Sequence, residues 1–73
     1  MQATRDIPLV RNAHVSVLSS AAPAVLHKGT QAEITAVAPQ HVEVICKDGH
    51  GSGREVWGLK LRVAKVVWGT SFE

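Results

Sequence analysis

Tyrosine is absent from this 73-residue chain, and cysteine and phenylalanine each occur once. With Cys46 alone, no intramolecular disulfide can form, which suits a reducing compartment and predicts a cytoplasmic protein. Nothing near the amino terminus resembles a secretory signal, and no apolar run approaches the roughly 18 residues a membrane helix needs, so no membrane role is expected. The aromatics are Trp57, Trp68 and Phe72, too few to build a core or to interleave with cations as an RNA-stacking face requires. Charge is also sparse: eight Lys or Arg oppose six Asp or Glu, a net +2 that does not by itself mark a nucleic-acid binder.

What the chain does have is alternation. Ala32–Val37, His41–Lys47 and Trp57–Val63 each alternate apolar with polar residues, and a period of two means strands with one face buried. Breaks rich in Gly, Pro or Asp separate them: Lys28-Gly29-Thr30, Pro39-Gln40 and Asp48–Gly53. A first strand is expected over Ala13–Ser19, and a fourth from Arg54 through Trp57, bent at Gly58. After Val63 the parity slips, which predicts a turn near Ala64 and then a last strand. Between Ser20 and Lys28 a loop with one helical turn is expected over a short helix, because Val25 and Leu26 are adjacent rather than three or four apart.

These pieces make an all-β chain, a small antiparallel five-stranded barrel over residues 13–70. Residues 1–12 form a flexible amino-terminal arm, biased to extended shape by Pro8, and residues 71–73 a tail. Ile7, Leu9 and Val10 are more apolar than a solvated arm needs, so docking along a sheet edge is an alternative. A core this small, with no staple, leaves room for stabilisation by a partner or by self-association.

Chemistry-bearing residues form no catalytic set. Zinc ligands need close pairs, and the nearest approach, His41 and Cys46, falls on opposite strand faces, so no metal or other cofactor is expected. Cys46 shares its face with Val42 and Val44 and reads as core, not as a nucleophile. Asp48–Gly53 could cradle an anion but lacks the Lys-Ser or Lys-Thr of a nucleotide loop and precedes a strand, so it reads as a hairpin tip. No enzyme activity is expected. Trp57 has the parity of Leu59, Leu61 and Val63 and is placed in the core; Trp68 is either an exposed anchor for a partner or the plug of one barrel end. Arg54, Lys60, Arg62 and Lys65 concentrate positive charge in the carboxy-terminal half, and with Trp68 they are the candidate partner-binding residues.

The stretch Leu26–Val37, continuing through Val42-Glu43-Val44 to Asp48-Gly49, resembles the KOW-type modules of transcription elongation factors and ribosomal proteins, within the SH3-like barrels. It shares a glycine turn, an alternating strand, a short break and a second alternating strand; it departs in lacking a second early glycine and in carrying Ala38-Pro39-Gln40 at the break. The resemblance implies an SH3-like barrel with a partner in the transcription or translation machinery. The chain also looks like small phage-encoded regulators that bind host RNA polymerase, which implies a non-catalytic protein-binding module regulating transcription. The alternative is an RNA- or DNA-binding barrel acting through its carboxy-terminal basic strand.

Overall fold

The computed structural model describes residues 1–20, 22–48, 50–51, 54–55 and 57–73, with side chains described for 1–20, 22–47 and 57–73. Eight strands and one helix follow in order: β1 (Ile7–Pro8), β2 (Val15–Val17), β3 (Val25–Leu26), β4 (Gln31–Val37), β5 (His41–Asp48), β6 (His50–Gly51), β7 (Arg54–Glu55), β8 (Lys60–Ala64) and α1 (Lys65–Ser71). All pairing is antiparallel. The main sheet runs β2-β8-β5-β4, and β1-β3 and β6-β7 are two-stranded ribbons. The all-β expectation holds in this coarse form, but no closed barrel is present among the described residues.

The main sheet is ordered by two apolar rows. Val15, Val63, Val42 and Val37 are successive cross-strand partners, as are Val17, Leu61, Val44 and Ile34. Val15, Val63, Val42, Leu61 and Val44 lie in the core, with Ala3, Ile7, Leu9, Leu26, Cys46 and Leu59 packed among them. The core is therefore mainly aliphatic, with Trp68 and Phe72 its only aromatic members among the described residues.

Residues 1–12 are not a free arm. Ala3, Ile7 and Leu9 are buried, and β1 pairs with β3, setting Ile7 against Leu26. Further up the chain, the Ala32 N–H donates to the Met1 carbonyl at 2.7 Å, Ala3 bridges to Phe72, and Gln2 and Glu73 exchange backbone hydrogen bonds at 2.7 and 2.8 Å. The apolar residues at 3, 7 and 9 drive this docking, because a chain so short needs their burial.

The last strand is also corrected: Lys65–Ser71 is helical. The lost parity is a change of period, since Ala64, Val67, Trp68 and Ser71 are turned inward while Lys65, Val66, Gly69 and Thr70 are exposed, the i, i+3, i+4, i+7 spacing of an amphipathic helix. Tertiary packing overrides the β preference of the two valines. Val25 and Leu26, expected in a loop with a helical turn, form β3 instead.

Candidate interaction surface

Lys60 and Arg62 alternate with Leu61 and Val63 on β8, so both cations stand on the outer face while the aliphatics fill the core. Their cross-strand neighbours decide the local charge. Arg62 lies between Ser16 and Glu43, and its guanidinium is 3.8 Å from the Glu43 carboxylate. Lys60 lies across from Ile45, which in turn faces Glu33 on β4. Glu33 is held by Lys47 at 3.4 Å. Acids and bases are thus interleaved over the outer face, rather than negative charge lying to one side and positive to the other.

Of the other expected site residues, Lys65 and Trp68 do not join this pair. Lys65 is exposed at the start of α1, beyond the bend at Ala64, where its N–H donates to the Gln40 carbonyl at 3.0 Å. Arg54 is in β7, paired with Gly51, and its side chain lies outside the described residues. Trp68 is turned to the opposite side of the sheet: it is 9% exposed and stacks on Phe72 with ring centroids 4.5 Å apart. It belongs to the core and leaves the candidate surface. The glycine-rich stretch 48–53 lies largely outside the described residues, apart from the short pairing of β6 with β7.

Trp57 reverses its expected role. It is 74% exposed, in a turn completed by Gly58 at φ 83°, a left-handed conformation that breaks the parity linking Trp57 to Leu59. The Gly58 and Cys46 backbones remain joined by an N–H to carbonyl bond of 2.7 Å, so β5 still guides the chain into β8. The signal in the sequence was Gly58 itself, which fits a turn as readily as a strand bend.

A second feature that parity alone misses is the open end of both apolar rows. A bulge between Ile34 and Ala36 resets the alternation of β4, so that Val37 shares the core-facing side with Ile34. Neither is covered: Ile34 is 40% and Val37 67% exposed.

Cys46 is fully buried, and burial pushes its thiol up from 9.0 to about 11, the opposite of nucleophile activation. No group of three or more potential metal-ligating side chains occurs among the described residues. A groove of about 240 Å³ between the amino-terminal segment and α1 is lined by Arg5, Asp6, His14 and Val67 among others, smaller than most small-molecule sites. Two of its polar groups are already engaged, since Arg5 Nε donates to Ser71 Oγ and Asp6 accepts the Lys28 N–H, both at 2.8 Å.

This geometry defines a class only: a small antiparallel β protein with a mixed-charge sheet face. The chain matches no protein-family model, no curated protein and no solved structure. No helix among the described residues is long and apolar enough to cross a membrane.

Proposed function

We propose that the chain is a non-catalytic protein-binding module that docks on RNA polymerase and regulates transcription, with a fold related to the SH3-like barrels and a phage-encoded regulator as the model for its role. The observation that carries the protein-binding part is the interleaving of charge on the outer face. Glu43 at 3.8 Å from Arg62 and Glu33 at 3.4 Å from Lys47 compensate these two cations locally. A nucleic-acid face needs several cations free to neutralise successive phosphates, whereas a mosaic of both signs orients a protein partner. Exposed Trp57, three residues before Lys60, adds the residue type that most often anchors protein interfaces. A partner in the transcription or translation machinery rests on the KOW resemblance, the polymerase in particular on the likeness to small phage-encoded regulators, and the cytoplasm on the single cysteine; Gly29, at φ 93° just before β4, supplies a glycine turn of the KOW kind, and the β4-β5 hairpin its paired strands.

The test is binding of the purified chain to purified RNA polymerase, with and without nuclease and over a range of salt. Retention after nuclease, shallow salt dependence and loss on combining Lys60→Glu with Arg62→Glu support the proposal. Binding to RNA or DNA alone, with a steep salt slope, overturns it in favour of a nucleic-acid module.

A further inference from the structure

The geometry points to self-association: two copies pair antiparallel through the free edge of β4, joining their main sheets into one. β4 is the last strand of its sheet, and the amino-terminal segment covers only its beginning. Met1 exchanges backbone hydrogen bonds with Ala32, at 2.7 and 3.0 Å, and Gln2 bridges to Gln31. From Glu33 to Val37 no other strand lies alongside among the described residues.

The backbone of that edge is aimed outward at two points. Ala32 turns its N–H and carbonyl away from β5 to reach Met1, so Ile34, two residues on, turns the same way. Ala38 donates inward to the His41 carbonyl at 2.8 Å, so its neighbour Val37 also points outward. The bulge thus leaves Ile34 and Val37 both with outward backbone groups and with side chains on the same uncovered face.

Those two positions fit a second copy of themselves. In a two-fold arrangement with its axis between Thr35 and Ala36, Ile34 of each copy lies opposite Val37 of the other, and the spacing matches because it is the same spacing read in reverse. Each buried apolar row, open at β4 in one copy, then continues into a row of the next. Charge permits this pairing: Glu33 is the only charged residue in Gln31–Gln40, and it falls opposite Ala38 of the copy, far from the other Glu33. Of the side chains that keep edges from pairing, Lys, Pro and inward charges, none occurs from Ile34 to Ala38, and the bulge at Thr35, which blunts an edge against a regular strand, meets the same bulge of the second copy across the two-fold axis. A short edge contact of this kind makes a reversible dimer rather than a permanent one. The outer face proposed for the protein partner stays open in it, so the two proposals stand or fall separately.

Sedimentation of the chain, without any amino-terminal extension, tests this from micromolar to millimolar concentration. The expected result is a reversible shift from monomer to dimer, with hydrogen exchange at the Ile34 and Val37 amides slowing as the dimer forms. Ile34→Lys and Val37→Lys should each hold the chain monomeric without lowering its unfolding midpoint at low concentration, and Val10→Lys, at an exposed site elsewhere, should leave the dimer intact. A monomer at every concentration overturns the proposal. So does a dimer that survives both edge lysines, or an edge protected only when RNA polymerase is added, which would give β4 to the protein partner.

Discussion

Val37 and Val42 are direct cross-strand partners at one end of the β4-β5 hairpin, yet Val42 is 4% exposed and Val37 67%. The two share a face and a chemistry, and differ only in what lies beyond them: β8 beyond Val42, nothing among the described strands beyond Val37. At this end of the hairpin the core therefore stops one strand short of the sheet edge, whereas Ala32, near the start of β4, is 2% exposed and belongs to the core.

That boundary gives a contrast within a single row. Leu61→Ala, at 1% exposure, should lower unfolding stability by about 2–5 kcal/mol, while Ile34→Ala in the same row should cost under about 1 kcal/mol. Urea unfolding at a concentration low enough to keep the chain monomeric measures both, and equal losses would contradict the open edge.

Cys46 makes stability fall in alkali. Its folded-state pKa is raised to about 11 from 9.0, so the folded chain holds a proton that the unfolded chain releases. The contribution is complete below pH 9.0 and is lost as pH rises to about 11, a decline of roughly 2 kcal/mol attributable to this thiol. Cys46→Ala should start less stable and lack this part of the slope. The thiol should also resist alkylation until the chain unfolds.

The tryptophans should report separately. Trp57 at 74% exposure should emit as a solvated indole and be quenched by acrylamide, whereas Trp68 at 9% should emit to the blue and be shielded. Trp57→Phe should leave only the shielded component; a remaining fully quenchable spectrum would place Trp68 at the surface.

Gly29 has no neighbour within 4 Å of an added Cβ, so Gly29→Ala isolates the cost of its φ of 93°. The expected loss is about 1 kcal/mol, from the strain an L side chain meets there. Thermal unfolding of the variant beside Gly69→Ala, a helical site with open space, separates conformation from crowding.

The Glu43–Arg62 pair is half-exposed and should contribute little to stability. A double-mutant cycle with Glu43→Gln and Arg62→Gln should give a coupling of at most about 1 kcal/mol that shrinks in high salt. Strong coupling that salt leaves unchanged would mean a desolvated pair and a different outer face.

The alternation of Val42, Val44 and Cys46 on β5, and of Leu59, Leu61 and Val63 leading into and along β8, was enough to assign strands and to place these residues inside, because a period of two leaves a strand one apolar face to bury. The scarcity of aromatics likewise made a mainly aliphatic core necessary. Local pattern did not settle the positions where one backbone residue changes the parity. Thr35 at the bulge carries Val37 to the core side, and Gly58 at positive φ releases Trp57 to solvent. Nor did it decide partners distant in sequence. Ala3 meets Phe72, Ile7 meets Leu26, and Glu43 meets Arg62 only when the chain closes on itself. Period fixes which face a strand buries, but burial also depends on having a neighbour to cover that face. From Glu33 onward β4 has one only on the side of β5 among the described residues, and only the tertiary structure shows it.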